Sequence, residues 1–246
     1  MDTLLKVSNL SIFHDGEKVI DDVNLEFKEG EFVCFVGYPF LTGTIFLRSL
    51  IFLNEDVSRK YKTVGDIMYR GKIVTRSKAK FLRTKVSYLG NEILSTMDEL
   101  SIRELLILMI GRENMNDGFG FELSSILDEL HILSNLPDGM NSRLRKLERD
   151  TKILFFLSLS ILRNSDVIIF DGVLDDLSEK NFENMVGFLE KMKNKTFVVS
   201  TKNPRRFMGL SDRVVMMENG KVIFDGDPKQ IIMNWGRSRW KFSQSP

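Results

Sequence analysis

Three short, strongly apolar segments constrain the fold of this chain more than any other feature of its sequence. Residues 32–36, 166–171 and 195–201 each have about the length of one strand, and an apolar helical pattern at 152–163 precedes the second segment. Strands whose side chains are apolar without alternation are buried on both faces, which is typical of parallel sheets covered by helices. The sequence therefore predicts an α/β fold built on a parallel sheet.

The two ends of the chain carry the alternating pattern of antiparallel strands. Apolar residues recur along 5–12 and 19–27, and the turn between these segments is predicted at His14-Asp15-Gly16. A second hairpin follows the strand at 213–217 and turns at Asn219-Gly220, a pair that favours a two-residue turn. The first two strands predict an antiparallel β layer beside the parallel sheet, and the second hairpin is expected near the end of the chain.

The middle of the chain is helical in character. Ser101 followed by Glu104 has the spacing of a capping box, and 121–133 has the pattern of a further helix. We interpret the chain as a single domain with a helical insert. Its parts are the core with its antiparallel β layer, residues 1–94 and 149–246, and a helical subdomain, residues 95–148.

Charge and cysteine content exclude several classes of function. Lys and Arg number 35 against 34 Asp and Glu, so no whole-molecule field attracts nucleic acid, and no nucleic-acid partner is expected. Cys34 is the only cysteine, and His14 and His131 are the only histidines, which excludes disulfides and zinc sites built from cysteine or histidine. The longest apolar stretches fall well short of the roughly 20 residues that a membrane span needs. We therefore expect a cytoplasmic protein.

The segment from Gly37 to Gly43 is predicted to be a loop between a buried strand and a helix beginning at Thr44. In α/β proteins such a loop delivers the N-terminus of a helix to a phosphate group. The first candidate binding site is therefore this loop.

The order of these elements resembles that of the ATP-binding subunits of ABC transporters over nearly the whole chain. Three stretches carry the resemblance: 19–25 before Gly30-Glu31, 161–171, and 212–228. The spacing between Leu47 and Val86 is most similar to ATPases of phosphate importers. The resemblance implies a P-loop ABC-ATPase-like core with membrane subunits as partners, a homodimer or a heterodimer with another ABC ATPase, and a peripheral position on the cytoplasmic face of the inner membrane.

The phosphate loop of this family departs from its pattern here. Gly37 aligns with its first glycine and Thr44 with the hydroxyl that binds Mg²⁺, but Phe40 and Thr42 replace glycines. Gly43 stands where the phosphate-binding lysine is expected. Side chains at these positions would fill or strain a phosphate cradle.

The other family positions are also altered. Asp171 keeps the Walker B carboxylate, which with Thr44 implies a Mg²⁺ site, but Gly172 and Lys202 occupy the positions of the catalytic glutamate and the switch histidine. Asn91 replaces the loop glutamine, and His14 takes the place of the aromatic residue that stacks on adenine. The signature segment reads Leu147-Glu148-Arg149-Asp150-Thr151, in which acidic residues would repel a triphosphate unless Arg149 compensates.

We therefore expect a degenerate subunit, a pseudo-ATPase without catalytic residues that binds ATP and Mg²⁺ weakly if at all. Two alternatives stay open: a chain that completes a heterodimer with an intact ATPase, and a binding module outside transport whose nucleotide site is filled by Tyr38, Phe40 and Leu41. Taken singly, Gly37 also suits a strand end, Thr44 a helix cap, and Asp171 a carboxylate that caps a neighbouring backbone.

Overall fold

The computed structural model describes residues 2–192 and 194–234. The strands in this part of the chain are β1 (Thr3–His14), β2 (Glu17–Lys28), β3 (Phe32–Tyr38), β4 (Tyr61–Tyr69), β5 (Lys72–Ile73), β6 (Val86–Gly90), β7 (Val167–Asp171), β8 (Thr196–Ser200), β9 (Arg213–Glu218) and β10 (Lys221–Gly226). The α-helices are α1 (Phe40–Ser49), α2 (Asn54–Val57), α3 (Ala79–Lys85), α4 (Asn91–Thr96), α5 (Ile102–Ile110), α6 (Asp117–Glu129), α7 (Arg149–Leu162), α8 (Glu179–Leu189) and α9 (Pro228–Asn234).

The central sheet has the strand order β10-β9-β3-β8-β7-β6. Strands β9, β3, β8, β7 and β6 run parallel, and β10 is antiparallel to β9. The three apolar segments that led the sequence analysis form β3, β7 and β8, and all residues of β7 and β8 are buried. The predicted α/β fold with a parallel sheet is confirmed.

A second sheet of four strands, in the order β2-β1-β4-β5, is antiparallel throughout. Helix α1 packs between this sheet and the central one, where the rings of Phe35 and Phe46 stack with centroids 5.5 Å apart. Both phenylalanines are completely buried. The predicted antiparallel layer is thus joined to the central sheet through an aromatic core around α1.

The segment between β6 and β7 is helical, and the capping box at the start of α5 is present. The Ser101 hydroxyl accepts from the Glu104 backbone amide, and the Glu104 carboxylate accepts from the backbone amide of Ser101. The helix expected at 121–133 instead runs from Asp117 to Glu129, because the Asn116 side chain caps it by accepting from an amide in its first turn. His131 therefore lies beyond that helix with a positive φ.

Helix α7 is the apolar helix expected at 152–163, but it begins at Arg149. Its 14 residues lie between the helical segment and the central sheet, and Leu154 and Phe155 are completely buried there. None of the helices in the described part of the chain has the length and apolar character needed to cross a membrane.

Candidate functional site

The predicted loop between Gly37 and Gly43 does not exist in the structure. Strand β3 continues to Tyr38 and α1 begins at Phe40, with Pro39 as the single residue between them. The Pro39 carbonyl accepts from the Thr42 backbone amide at 2.9 Å, which starts the first turn of the helix. The expected helix start at Thr44 was wrong, because Phe40 and Thr42 suit a helix where glycines would hold a loop open.

Gly37 and Gly43 are in contact with each other. A Cβ atom on Gly37 would lie 2.7 Å from the Gly43 Cα, and a Cβ on Gly43 would lie 3.1 Å from Cε1 of Phe35. Real Cβ contacts are longer than this, so neither position tolerates a side chain without movement of the backbone or the ring. Both glycines are explained by the close approach of β3 and α1, and neither lies in a loop that would cradle a phosphate.

Phe40 fills the space beside Gly172. Gly172 follows β7 with φ of 72°, and a Cβ atom on it would lie 2.6 Å from Cζ of Phe40. The ammonium group of Lys202 lies 5.0 Å from the centre of the same ring, within cation–π range. The positions that align with the catalytic glutamate and the switch histidine therefore converge on an aromatic ring.

The side chains of Tyr38 and Leu41 do not occupy the space beside Gly172. Tyr38 is 45% exposed and Leu41 is 64% exposed. Of the three side chains expected to occupy the nucleotide site, Phe40 alone lies against the Walker B end of the sheet. The expectation was wrong for the other two, because Leu41 is exposed on the first turn of α1 and Tyr38 is exposed at the end of β3.

Asp171 is 4% exposed and ends β7 between Gly90 of β6 and Ser200 of β8. Its Oδ2 accepts from the Tyr88 hydroxyl at 2.7 Å, whereas its Oδ1 has no hydrogen-bond partner among the described residues. The buried Ser200 hydroxyl also lacks one. Burial raises the pKa of Asp171 above its usual value, and the hydrogen bond from Tyr88 offsets part of this rise.

Thr44 lies inside α1 and is buried, so it is not a helix cap. Asp171, for its part, accepts from a side chain, so the expectation that it caps a neighbouring backbone was wrong as well. The hydroxyl of Thr44 is close enough to the carboxylate of Asp171 to lower its pKa. These two residues are thus brought together, as the resemblance implied, but in a closed environment.

Tyr88, Arg48 and Glu92 belong to this site and were missed by the sequence analysis. Arg48 Nε donates to the Tyr88 hydroxyl at 3.2 Å, and the Arg48 guanidinium also pairs with the Glu92 carboxylate. The chain of contacts runs from Glu92 through Arg48 and Tyr88 to Asp171. The available signal was the tyrosine two residues before Gly90 in a buried strand, since the ends of neighbouring parallel strands meet at one edge of the sheet.

The segment that aligns with the family signature is bound to its own chain. Arg149 donates to the Asn91 side-chain oxygen and, at 2.7 Å, to the Asp176 carboxylate. Asp150 accepts from the backbone amide and hydroxyl of Ser178 and from the Asn181 side chain. Arg149 and Asp150 are therefore engaged on the same protomer, and Asn91 is the first residue of α4 and not part of a loop.

His14 lies at the end of β1 and packs on Tyr61 of β4. The two rings have centroids 4.4 Å apart and an interplanar angle of 30°. Its aromatic face is thus used within the antiparallel sheet. This contact explains an aromatic side chain at position 14 without an adenine ring stacked on it.

The residues present do not fit a triphosphate with its Mg²⁺. The phosphate loop is replaced by the contact of Gly37 with Gly43, no lysine takes the loop position, and Phe40 fills the space in front of Gly172. The described residues also contain no group of three or more His, Cys, Asp or Glu side chains placed to hold a metal ion. We therefore derive no nucleotide chemistry from this site.

Comparison with known proteins identifies sequence relatives and a shared fold. No protein-family model matches the chain. It is 24% identical over 226 residues to the carnitine transport ATP-binding protein OpuCA of Listeria monocytogenes serotype 1/2a, covering 90% of this chain and 54% of that protein, so the chain spans about half of this relative. It is 22% identical over 250 residues to the phosphonates import ATP-binding protein PhnC of Lactococcus lactis, covering 93% of this chain and 95% of that one.

The fold comparison agrees with the sequence comparison. A solved structure of an ATP-binding subunit of an ABC transporter superposes with a TM-score of 0.78 at 18% identity, covering 95% of this chain and 94% of that one. The expected ABC-ATPase fold is confirmed by this superposition. The chain therefore has the fold of the ABC ATPases and is similar, over about nine-tenths of its length, to ATP-binding subunits of ABC transporters.

Proposed function

We propose that this chain is an ABC-type subunit that supports a membrane transport complex without hydrolysing ATP itself. The observation that carries the proposal is the Phe40 ring lying against Gly172, where the family places its catalytic carboxylate. The fold and the similarity to ATP-binding subunits of transporters support the ABC-type assignment. The filled site supports the loss of turnover.

Three further losses point the same way. Gly172 offers no general base, a contribution worth about 10²–10⁴-fold in rate. Gly43 offers no ammonium group to the phosphates, and the strand-to-helix junction exposes no run of backbone amides. Because all three act on the same reaction, we expect any binding of ATP and Mg²⁺ to be weak and turnover by the isolated chain to be absent.

The partners in this proposal are the membrane subunits of a transporter and a second ABC ATPase, with the chain on the cytoplasmic face of the inner membrane. Arg149 and Asp150 favour this arrangement over a symmetric active dimer, because their side chains are held by their own protomer. The sequence spacing predicts phosphate as the solute, whereas the relatives are named for carnitine and for phosphonates. Phosphate import stays a prediction.

The test is calorimetric titration of the full-length chain with Mg-ATP, with an intact relative such as PhnC measured in parallel. We expect no saturable binding in the micromolar range and no phosphate release. Micromolar affinity together with turnover by the isolated chain would refute the proposal. If turnover arises when a second ABC ATPase is added and exceeds that of the second ATPase alone, the chain acts as the supporting half of a heterodimer.

The filled site also favours a second candidate, a binding module outside transport. The contact of Phe40 with Gly172 is equally consistent with that function. Isolation of the tagged chain from detergent-solubilised membranes distinguishes the two, since a transport subunit brings integral membrane subunits with it. Recovery without any such subunit would favour the module.

A further inference from the structure

The chain has a near-zero total charge but a strongly basic segment at residues 72–85. This segment has no Asp or Glu and contains six basic residues, Lys72, Arg76, Lys78, Lys80, Arg83 and Lys85. It comprises β5, a short turn and α3 beside the antiparallel sheet. Positive charge is thus concentrated in one segment, although the net charge of the whole chain is only +1.

Of these six basic residues, two are paired within the protein, three are exposed and unpaired, and Lys85 is half-buried at the end of α3. Arg76 and Arg83 both pair with Asp56, at 3.3 Å and 2.6 Å. Lys72, Lys78 and Lys80 are exposed and form no ion pair with any residue in the described part of the chain. The three lysines therefore present positive charge to solvent or to a binding partner.

One large apolar side chain lies on the same side as these lysines. Phe81 is 51% exposed on α3, and its ring packs edge to face against Tyr69 with centroids 6.1 Å apart. Lys72 is the cross-strand partner of Tyr69 and so lies on the same face of the sheet, whereas Ile73 pairs with Met68 and lies on the other face. Lysine on an edge strand commonly prevents strand pairing, but that role does not account for an exposed phenylalanine beside it.

We infer that this lysine–phenylalanine surface, formed by Lys72, Lys78, Lys80 and Phe81, binds the anionic surface of a lipid bilayer. Clustered lysines are attracted to acidic headgroups, and neighbouring apolar side chains enter the boundary between headgroups and acyl chains. Phe81 follows Lys78 by three residues, so charge and ring lie on the same side of the helix start. The surface therefore combines both contributions that peripheral membrane binding uses.

The same features make nucleic acid a poorer fit. Single-stranded nucleic acid is bound by aromatic platforms that stack on bases, and base edges are read by arginine or amide side chains. Both arginines of the segment are paired with Asp56, and the single ring of Phe81 does not form a platform for successive bases. An anionic bilayer uses Phe81 and the unpaired lysines together.

The test is co-sedimentation of the full-length chain with vesicles of phosphatidylcholine alone and of phosphatidylcholine mixed with phosphatidylglycerol. We expect binding to the mixed vesicles that weakens with salt, and little binding to the neutral ones. The triple variant Lys72→Gln, Lys78→Gln, Lys80→Gln should lower the partition coefficient about a hundredfold, since each lysine near an anionic surface contributes about 1 kcal/mol. Phe81→Ser should lower it several-fold without changing the salt dependence.

A matched control removes three exposed charges from other surfaces: Arg103→Gln, Lys180→Gln, Lys229→Gln. It should reduce binding far less than the first triple variant, and circular dichroism checks that every variant is folded. Equal loss in both triple variants would overturn the inference. So would equal binding to neutral and mixed vesicles, or displacement of the chain from mixed vesicles by a short DNA duplex. The isolated chain is used, so the result is independent of the ATP titration.

Discussion

The ring of Phe40 packs directly over the backbone of Gly172, so closely that a Cβ atom at Gly172 would lie 2.6 Å from Cζ. This contact joins the first turn of α1 to the carboxyl end of β7, where ABC ATPases place their catalytic carboxylate. Any side chain at position 172 therefore meets a ring instead of a substrate. Restoring glutamate there would not by itself rebuild a working site.

Gly172→Ala should lower the free energy of unfolding by about 2–4 kcal/mol. About 1–2 kcal/mol comes from a left-handed backbone, since φ is 72°, and the rest from overlap with the Phe40 ring. Urea unfolding measures the loss. When Phe40→Ala is present as well, the overlap is gone, and the added cost of Gly172→Ala should fall to the backbone contribution.

Gly187→Ala is the control for this experiment. Gly187 is exposed inside α8, and a Cβ there meets no atom within 4 Å. Alanine should stabilise the helix by about 0.5–1 kcal/mol. If Gly172→Ala is as harmless as this control, or equally costly with and without Phe40, then the ring does not fill the site.

Gly37→Ala and Gly43→Ala should both destabilise the fold, with Gly37→Ala the more severe. A Cβ on Gly37 would lie 2.7 Å from the Gly43 Cα, whereas a Cβ on Gly43 would lie 3.1 Å from the Phe35 ring edge and 3.2 Å from the Gly37 Cα, which is a smaller overlap. We expect losses of about 1–3 kcal/mol or more, read from thermal and urea unfolding. Gly120→Ala in α6, where a Cβ meets open space, should be neutral or stabilising. The reverse order of severity would contradict this packing.

Much of the fold could be predicted because buried parallel strands leave a local signal. Val167 to Phe170 and Thr196 to Val199 are continuous apolar or β-branched runs, and the pattern alone places them inside a covered sheet. The start of α1 could not be predicted in the same way. Phe40 and Leu41 are compatible with a loop or a helix, and the choice is made by packing of Gly43 against Gly37.

The site was harder to predict because its contacts join residues far apart in sequence. Asp171 and Thr44 were placed by resemblance, but Tyr88 reaches Asp171 from a neighbouring strand, and Arg48 reaches Tyr88 from α1. No local pattern encodes a tyrosine hydroxyl aimed at a carboxylate. Likewise, the acidic signature segment suggested repulsion, whereas Asp150 in fact binds the start of α8.

Asp171→Asn should become more stabilising, relative to the wild type, as pH rises. Burial holds the pKa of Asp171 above its usual value. The contribution of Asp171 to folding stability is therefore complete below its ordinary pKa and is lost as pH rises through the raised pKa of the folded state. Asparagine still accepts from Tyr88, and its amide can donate toward the unpartnered Ser200 hydroxyl. Urea unfolding between about pH 4 and pH 7 measures the difference in stability. If the stability of Asp171→Asn relative to the wild type instead falls as pH rises, the buried carboxylate is stabilised as an anion.

Tyr88→Phe tests the same network from its other side. Removing the hydroxyl leaves Oδ2 of the buried Asp171 without its donor, so we expect a loss of about 1–3 kcal/mol at neutral pH. Combining Tyr88→Phe with Asp171→Asn should recover part of this loss, because no buried charge then lacks a partner. Additive effects of the two substitutions would mean that the hydroxyl and the carboxylate do not interact.

Asp150 should show the opposite pH dependence. Burial raises its pKa, but hydrogen bonds from Asn181 and Ser178 outweigh burial and hold the pKa below the usual value. The contribution of Asp150 to folding stability is therefore complete above its ordinary pKa and is lost as pH falls through the lowered pKa of the folded state. Asp150→Asn should cost about 1–3 kcal/mol at neutral pH, because the charged acceptor is lost, and should cost less in acid.

Ser178→Ala is the matched control for the Asp150 experiment, because it removes one donor and leaves the carboxylate in place. It should lower stability less than Asp150→Asn at neutral pH, since the Ser178 amide and Asn181 still donate to Asp150. Unfolding followed at neutral and acidic pH separates the two variants. If Asp150→Asn has the same effect at both pH values, Asp150 is not held as a carboxylate by its own protomer, and the signature segment is free to face a partner.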